Sequence, residues 1–427
     1  MQTLQKTPLS RRHVLGAGAA LAATSLFGCA TTGGPSIGRV VVIGGGFGGA
    51  TAAHYLKMWG GNIDVTLVER NAEFVSCPIS NLVIGGHQQM ASITRGYGSL
   101  AATGVKVVRG DVTAIDPATK TVRLRDGGSL PYDRVIVSPG IGFMTDGVGG
   151  LQAALDSGRV THSWQAGPQT AALRRQLEAM PDGGVFAMSI PAVPYRCPPG
   201  PYERACMVAS YFKTAKPKSK VIVYDANPEI QSKKGLFERA WAQHYKDIIE
   251  YKPNAALREV TADGTAKFDF EDFKPAVLNV IPQQRAGDIA RTAGLVNVNA
   301  RWCGVNWLTM ESTAVPGVHV LGDATMSAPA MPKSGHMANQ HAKVAAAAII
   351  NLLKGEAVNA TPVVMNTCYS FVTAKDVVHV ASVHQYDAAD KTFKTVPGSG
   401  GLSAAANQIE GRYALSWAQN ICTDMLG

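Results

Sequence analysis

The chain has 427 residues, of which 46% are hydrophobic, and its formal net charge is +9. This length is enough for two or three domains with sizeable cores. The excess of basic residues weakly favours an acidic partner surface or an anionic substrate. Nucleic acid is not indicated as a partner, because the sequence has no dense run of lysine and arginine and no stripe of basic and aromatic residues.

The amino terminus carries an export pattern. Ser10-Arg-Arg-His-Val-Leu15 is followed by an uncharged run, rich in alanine and glycine, that extends to Ala30. We predict that residues 1–34 are a twin-arginine (Tat) signal peptide and that the protein works in the periplasm. The run is too weakly apolar for a spanning helix, and no integral membrane segment is predicted in the mature chain. Cleavage is expected between positions 28 and 36, with lipidation of Cys29 left open.

A dinucleotide-binding motif comes next. The hydrophobic strand Val40–Ile43 leads into Gly44, Gly46 and Gly49, spaced as GxGxxG, and a helix-like segment follows. The glycines allow a tight turn, and the start of the helix offers free N–H groups to a pyrophosphate. Twenty residues beyond the last glycine, a second strand ends in Glu69, placed to accept hydrogen bonds from an adenosine ribose. We therefore predict a dinucleotide site.

A second motif indicates which dinucleotide binds. The strand-like segment Val318–Leu321 runs into Gly322 and Asp323, just before residues that favour a helix start. This arrangement resembles the flavin-contacting segment of flavoproteins with two dinucleotide-binding domains, in which the aspartate holds the ribityl chain. The pairing with the glycine motif predicts FAD as the cofactor, with Asp323 among its ligands.

A second α/β unit lacks such a motif. Its first strand, Gly184–Ile190, is followed by Pro191–Pro201, in which four prolines fall within nine residues and no GxGxxG occurs. Proline has no N–H group and cannot build a phosphate cradle. We therefore expect a Rossmann-like domain without a nicotinamide cofactor.

The patterns predict an α/β protein with two Rossmann-like domains of the glutathione-reductase-like flavoprotein kind and a small α+β domain at the carboxyl end. In the last part, two strands near residues 378–383 and 392–396 are predicted to pair as a hairpin, closed by a helix from Tyr413. The predicted boundaries are 1–34 for the signal peptide, 35–155 and 273–355 for the two parts of the FAD-binding domain, 156–272 for the second Rossmann-like domain and 356–427 for the C-terminal domain.

Three of the six cysteines that follow the signal peptide have conspicuous settings. Cys77 lies on the loop that passes the flavin in this fold, but Leu82 occupies the position of the second cysteine in a CxxxxC pair. Cys197 lies in the proline-rich turn, and Cys368 begins the final segment. The others are expected to be buried small hydrophobes or a structural pair: Cys206, Cys303 and Cys422.

Here the chain resembles the flavoprotein subunit of flavocytochrome c sulfide dehydrogenase over essentially its whole mature length. The resemblance rests on three motifs, namely Tyr195-Arg-Cys-Pro-Pro-Gly-Pro-Tyr-Glu-Arg204, Met331-Pro-Lys-Ser-Gly-His336 and Asn366-Thr-Cys-Tyr369. It implies that Cys77 is bonded to the 8α-methyl group of FAD. It also implies that Cys197 and Cys368 form a redox-active disulfide over the flavin, with Cys368 proximal and Cys197 attacked first by hydrosulfide.

Several roles beside the cysteines are less directly implied. Lys333 is expected to steady the N1 and C2-carbonyl side of the flavin, through its charge or the dipole of the following helix. His336 is expected to cap that helix or to lie near the flavin. A purely structural bridge between Cys197 and Cys368 is the alternative to a redox-active one. No metal site is predicted.

The electron acceptor is expected on another polypeptide, because the sequence contains no CxxCH motif for attaching a c-type haem. The resemblance implies a tightly bound c-type cytochrome subunit as partner and sulfide as the small-molecule substrate. Two alternatives stay open. One is a sulfide:quinone-type or other disulfide flavoprotein acting on a different sulfur species, and the other is a partner-binding subunit whose redox site has decayed.

Overall fold

The computed structural model describes residues 35–427, and residues 37–427 form one compact unit. The predicted signal peptide, residues 1–34, lies outside the described residues, so its role and the periplasmic location stay predictions. Within residues 35–427, every helix falls short of the length or apolar character that a bilayer crossing requires.

A seven-stranded sheet carries the glycine motif. Five of its strands run parallel, and two short strands at one edge are antiparallel to their neighbours. In spatial order the strands are Val305–Asn306, Glu311–Ser312, Val318–Val320, Arg134–Val137, Arg39–Ile43, Asp64–Glu69 and Lys106–Arg109. Strands from the two predicted parts of the FAD-binding domain therefore lie side by side in one sheet.

A second sheet of five parallel strands follows the predicted interruption. Its strands, in spatial order, are Val160–Thr161, Val277–Val280, Val185–Ile190, Lys220–Asp225 and Ile249–Lys252. Three helices belong to this stretch of the chain, namely Pro168–Ala179, Gly200–Ala215 and Lys234–His244. Phe186, Phe212 and Phe237 fill its core, so the unit keeps the layered form of a Rossmann-like domain. Both strands predicted here, near 184–190 and 220–225, are confirmed.

The carboxyl end is an antiparallel sheet and a long helix. The predicted hairpin is confirmed as Val377–Asp387 paired with Thr392–Thr395, and Gly401–Leu402 also pairs with the first of these strands. The closing helix, Gln408–Leu426, begins before the predicted Tyr413 because the Asn407 side chain caps it. The prediction missed the strand Val363–Phe371, which pairs along its whole length with Val377–Gln385.

The remaining elements are short, apart from two helices that flank the glycine motif in space. These two are Phe47–Gly60 and Gly335–Lys354, which pack against each other. The other helices are Ser80–Ile84, Gly98–Ala102, Leu151–Asp156 and Asp288–Thr292, with 3₁₀ turns at Met90–Ile93 and Gly322–Ala324. Two minor pairs are Glu73–Val75 with Thr94–Gly96 and Ile141–Met144 with Gln283–Ala286. Two small sheets have three strands each: Thr121–Leu124 lies between Val112–Asp116 and Ser129–Pro131, and Ala266–Phe268 lies between Leu257–Val260 and Asp272–Phe273.

The carboxyl-terminal helix is fastened to the helices beside the glycine motif through Asp424. The Tyr55 hydroxyl donates to Asp424 Oδ1 at 2.5 Å, and Asn339 Nδ2 donates to Oδ2 at 2.6 Å. Lys343 Nζ lies 3.0 Å from the same carboxylate. These three bonds join the last residues of the chain to the helices Phe47–Gly60 and Gly335–Lys354, so the C-terminal segment supports the wall of the dinucleotide motif.

Gly49, the third glycine of the motif, is required by close packing. A Cβ atom on Gly49 would stand 1.8 Å from the carbonyl oxygen of Gly44, a backbone atom that cannot turn aside. Replacement of Gly49 by alanine therefore forces the turn and the helix apart. Because overpacking of a tight contact costs about 1–3 kcal/mol, we expect Gly49→Ala to lower the free energy of unfolding by that amount, as measured by urea denaturation of the mature protein.

The matched control is Gly98→Ala. Gly98 also begins a helix, has no positive φ and leaves its Cβ direction open within the described chain, so the free energy of unfolding should stay within about 0.5 kcal/mol of the wild type. An equal loss in both variants would show that the contact between Gly49 and Gly44 is not the cause.

Candidate functional site

A cavity of about 980 Å³ opens at the carboxyl ends of the strands Arg39–Ile43 and Asp64–Glu69. This volume lies at the upper end of the range for ligand sites, and the place is the one where open α/β sheets bind nucleotides. Seven of the predicted site residues line it: Gly44, Gly46, Glu69, Cys77, Cys197, Asp323 and Cys368. The structure therefore brings together, around one space, residues that lie far apart in the sequence.

The glycine turn forms a cradle on one side of the cavity. Gly44 has a φ of +97°, and a Cβ atom there would stand 2.4 Å from the Ser138 carbonyl oxygen. Gly46 precedes the helix Phe47–Gly60, and no atom of the described chain lies within 4 Å of the position its Cβ would take, neighbouring residues aside. The first turn of that helix has no acidic side chain and no side-chain cap. Its first N–H groups are thus available to a phosphate.

Glu69 closes the adenosine side of the cradle. Its Oε2 accepts the N–H of Gly45 at 2.7 Å, and its Oε1 accepts the backbone N–H and the Nδ2 of Asn71, both at 2.8 Å. A carboxylate oxygen has two lone pairs, so Oε2, which accepts one bond from the protein, can still accept a hydroxyl. The glutamate is therefore fixed in place by the turn that it serves.

Asp323 shows that a polyhydroxyl chain fits at the other end. Its Oδ1 atom is buried and has no hydrogen-bond partner among residues 35–427, while Oδ2 lies 3.9 Å from Arg196 Nη1. Burial raises the pKa of Asp323, and the charges of Arg196 and Lys333 oppose that rise. A buried acceptor without a donor costs free energy, and a ribityl hydroxyl would supply the missing donor. Together with the glycine cradle, this oxygen makes the site fit FAD.

Lys333 lies beside the segment of Asp323. Its ammonium group does not line the cavity, because it donates to the backbone carbonyls of Asp323 and Thr325 and lies 3.9 Å from the centre of the Trp302 ring. Burial lowers its pKa to about 8. Lys333 thus holds the segment of Asp323 through its backbone, and its role toward a flavin stays a prediction. Gly49 also lies outside the cavity lining and acts through packing.

The helix Gly335–Lys354 is capped by Ser334, whose hydroxyl oxygen accepts the N–H of Met337 at 3.0 Å. His336 is therefore not the cap, and it lies on the cavity wall. Its Nδ1 accepts the N–H of Thr367 at 3.0 Å, so the neutral ring carries its proton on Nε2. Burial lowers the pKa of His336 to about 4, which keeps the ring neutral at ordinary pH.

Each of the three cysteines reaches the cavity from a different element. Cys77 lies between the strand Glu73–Val75 and a short helix, with its sulfur 3.4 Å from the N–H of Ala166 and 3.6 Å from Arg196 Nη2. Cys197 lies in the proline-rich turn with a φ of +58°, and its N–H donates to the Lys333 carbonyl at 2.9 Å. Cys368 lies in the strand that the prediction missed.

All six cysteines of the described chain are free thiols, so the predicted bond between Cys197 and Cys368 is not formed in this structure and stays a prediction. The two sulfurs are electrostatic neighbours. Burial raises the pKa of Cys197 to about 12, with Cys368 and Glu203 adding to the rise. Burial also raises the pKa of Cys368, and here Lys233 opposes it most. Cys206 and Cys303 lie in two separate cores and cannot pair with each other.

Sequence reasoning missed the buried charges that hold these segments. Arg204 donates to Asn81 Oδ1 at 3.1 Å, to the carbonyls of His162 and Ser163, and to Asn279. Glu203 accepts the Asn81 side chain at 2.8 Å and the N–H of Phe371 at 2.9 Å. Both residues belong to the motif around Cys197, so their presence in it was the available signal. Lys233, described below, had none.

In the second Rossmann-like unit, the acidic residue at the position of a nucleotide ribose is bonded to other protein groups. Asp225 ends the strand Lys220–Asp225, where an acid would meet a ribose, but Tyr202 and Tyr251 donate to its Oδ2 at 2.7 and 3.0 Å. Asn227 Nδ2 donates to Oδ1 at 2.7 Å. The carboxylate is therefore satisfied by the protein itself, and the absence of a nicotinamide cofactor here stays a prediction.

Gly46 provides a test of the cradle. We expect Gly46→Ala to retain the free energy of unfolding of the cofactor-free protein, since its Cβ meets nothing in the described chain. The same methyl group would stand where a phosphate approaches the helix. The flavin bound per chain, measured by absorbance after reconstitution with FAD below saturation, should therefore fall at least about tenfold, a loss of about 1.4 kcal/mol of binding free energy. Full flavin content in this variant would place the phosphate elsewhere.

Three family models match the chain. The central part of the sulfide dehydrogenase (flavocytochrome c) flavoprotein chain matches residues 170–282, and the flavocytochrome c sulphide dehydrogenase flavin-binding model matches residues 360–426. A pyridine nucleotide-disulphide oxidoreductase model matches residues 38–172. The matches cover the glycine cradle, the segment of Cys197 and the segment of Cys368.

Individual proteins and structures agree with these models. The sulfide dehydrogenase (flavocytochrome c) flavoprotein chain of Chlorobaculum thiosulfatiphilum is 60% identical over 45 residues, which are 10% of this chain and 94% of that sequence. The mitochondrial sulfide:quinone oxidoreductase of Mus musculus is 25% identical over 300 residues. That match covers 67% of this chain, and the chain spans 65% of the mouse protein and 66% of its Dictyostelium discoideum counterpart.

Among solved structures, the sulfide:quinone oxidoreductase of Aquifex aeolicus superposes with a TM-score of 0.74 at 18% identity, over 91% of both chains. Putidaredoxin reductase, in its covalent complex with putidaredoxin, gives a TM-score of 0.65 at 15% identity over 90% of this chain and 94% of that one. These likenesses confirm the predicted α/β flavoprotein fold. With the family models and the bacterial flavoprotein sequence, they lead to one conclusion: the chain belongs to the flavocytochrome c sulfide dehydrogenase flavoprotein family of oxidoreductases.

Proposed function

We propose that the chain is a periplasmic flavoprotein that oxidises hydrosulfide. In this proposal the electrons pass through a disulfide between Cys197 and Cys368 and through FAD bonded to Cys77, and they leave one at a time to a c-type cytochrome subunit. The observation that carries the proposal is the meeting of these three cysteines around one cavity with a dinucleotide cradle. The names of the matching family models support sulfide as the substrate.

The residues that would hold FAD have separate tasks. The N–H groups after Gly46 would bind the pyrophosphate, Glu69 the adenosine ribose, and the unpartnered oxygen of Asp323 a ribityl hydroxyl. FAD, when bound, supplies a group that takes up two electrons together and releases them singly. A bond from the Cys77 sulfur would keep the cofactor on the protein in a compartment that offers little free FAD.

The sulfide step needs only the cysteine pair. Hydrosulfide attacks the Cys197 sulfur of the disulfide, a new sulfur–sulfur bond forms there, and the bond to Cys368 breaks. Cys368 leaves as a thiolate with the electron pair of that bond, and the substrate sulfur, now oxidised, remains on Cys197 as a persulfide. The guanidinium group of Arg196, next to Cys197 and near Cys77, gives the cavity a positive charge that attracts the anionic substrate.

The acceptor and the location rest on sequence features. No CxxCH motif occurs in the 427 residues, so a haem acceptor belongs to a second polypeptide. The twin-arginine pattern within residues 1–34 supports export to the periplasm, and the positive charge of the chain suits an acidic partner surface.

A second candidate is a quinone-reducing enzyme that uses the same cysteine chemistry. The likeness to the mouse and Aquifex aeolicus proteins, both named as sulfide:quinone oxidoreductases, favours it. Acceptor preference separates the two candidates. Reduction of a c-type cytochrome by sulfide, with no reduction of a soluble quinone analogue, supports the first, and the reverse supports the second.

The covalent flavin is the first test. After acid precipitation of the purified mature protein, we expect the yellow colour and an FAD-sized mass on the Cys77 peptide to stay with the polypeptide. In Cys77→Ser the flavin should appear in the supernatant, because the serine hydroxyl does not form the thioether. Cys303→Ser, which changes a buried cysteine outside the cavity lining, serves as the control and should retain the flavin. Release of flavin from the wild type would refute the bond.

The cysteine pair is tested by anaerobic titration with sulfide, followed through the flavin absorbance near 450 nm. We expect Cys197→Ser and Cys368→Ser to slow flavin reduction by at least about 10³-fold, because each removes the electrophilic disulfide. Cys206→Ser changes a buried cysteine outside this cavity and should bleach at the wild-type rate. Wild-type bleaching of the flavin in both Cys197→Ser and Cys368→Ser would show that the pair is only a structural bridge.

A further inference from the structure

Lys233 places a buried ammonium group directly behind Cys368. Its backbone has a left-handed φ of +59° just before the helix Lys234–His244, and its side chain is buried. Lys233 Nζ donates to the Cys368 carbonyl and to Ser370 Oγ, both at 2.8 Å, and to the Val378 carbonyl at 3.5 Å. An ammonium group has three hydrogens, so each has an acceptor and the charge is fixed in position.

These three acceptors lie on the C-terminal sheet, whereas Lys233 belongs to the second Rossmann-like unit. Cys368 and Ser370 lie two positions apart on one strand and share a face of the sheet. The lysine thus crosses from one unit to the strand that presents the cysteine. A neutral side chain of similar length could fill this space, but it would leave the carbonyl of Cys368 without a charged donor.

The charged and titratable groups that act on this ammonium lie on four separate segments of the chain. They are the thiols of Cys368 and Cys197, and the carboxylates of Glu203 and Glu410. Burial lowers the pKa of Lys233 to about 8, and these four groups oppose that shift. The lysine is therefore mainly charged at neutral pH, in an environment where a positive charge acts strongly.

The two cysteines experience this charge unequally. At Cys368, Lys233 is the strongest of the influences that favour the thiolate, followed by the side chain of Asn366. At Cys197, Arg196 comes before Lys233, and both work against Cys368 and Glu203. Lys233 is thus the leading positive charge at Cys368 and comes second to Arg196 at Cys197.

We propose that Lys233 is a positioning residue for the cysteine pair: it fixes the Cys368 strand and stabilises the negative charge that appears on the Cys368 sulfur when the bond to Cys197 opens. The inference rests on the proposed function for the direction of attack. Hydrosulfide bonds to Cys197, and the electron pair of the broken bond goes to Cys368. The ammonium group stabilises the resulting thiolate without giving up a proton. Lys233 would thereby decide which sulfur leaves.

The test is alkylation of the reduced holoprotein with iodoacetamide over a range of pH, with mass spectrometry of the Cys197 and Cys368 peptides. Because an opposite charge nearby shifts a thiol by a pKa unit or more, we expect Lys233→Met to slow alkylation of Cys368 about tenfold at about pH 7. Lys233→Arg, which keeps the charge, should restore most of the rate. Lys234→Met removes the exposed neighbour that pairs with Glu229 and should leave the rate unchanged.

Folding of Lys233→Met is checked by circular dichroism and flavin absorbance. If the rate of Cys368 alkylation then depends on pH as it does in the wild type, the proposal is overturned. If that variant does not fold, the wild type decides: half-maximal alkylation of Cys368 at a lower pH than that of Cys197 supports the proposal, and the same or a higher pH overturns it. The readout needs no sulfide oxidation. Failure of sulfide to bleach wild-type flavin would overturn the proposed function alone, whereas normal bleaching with an unmoved profile would overturn only the role of Lys233.

Discussion

The site depends on two adjacent charges at the start of one helix, Glu203 and Arg204. The carboxylate accepts hydrogen bonds from Asn81 and from the backbone of Phe371, and the guanidinium group donates to Asn81 as well. Asn81 belongs to the segment of Cys77, and Phe371 to the strand of Cys368. Since Cys197 precedes the same helix, this pair of charges sets the positions of all three cysteines relative to one another.

The second Rossmann-like unit thus has the form of a nucleotide-binding domain, but its residues position Cys197 instead. Its first strand leads into a proline-rich turn that exposes Cys197 to the cavity, and its Asp225 is satisfied by tyrosine hydroxyls. The helix that would open a nucleotide site instead contributes the charges that organise the thiols. The second Rossmann-like unit thus holds the Cys197 sulfur at the cavity, and the C-terminal sheet brings the Cys368 sulfur to the same cavity.

What the sequence predicted well depends on the backbone. The strand, glycine turn and helix around Gly44 are local, and Glu69 and Asp323 follow from strand ends that the fold places at one edge. Local pattern does not reveal that the Lys333 ammonium group bonds to the carbonyls of Asp323 and Thr325, because a long side chain can turn toward carbonyls behind it. Lys233 and the strand Val363–Phe371 were missed for a related reason: their partners lie far away in the sequence.

The interleaved order of the seven-stranded sheet has a consequence for maturation. Val318–Val320 pairs with Arg134–Val137, and Asp323 follows directly after that late strand. The glycine turn is synthesised early, but the wall that completes its pocket arrives only after the whole second unit has been made. Such long-range pairing is slow to form. The pocket is therefore complete only after nearly the entire polypeptide has been made, and a full cofactor site marks a chain that is almost finished.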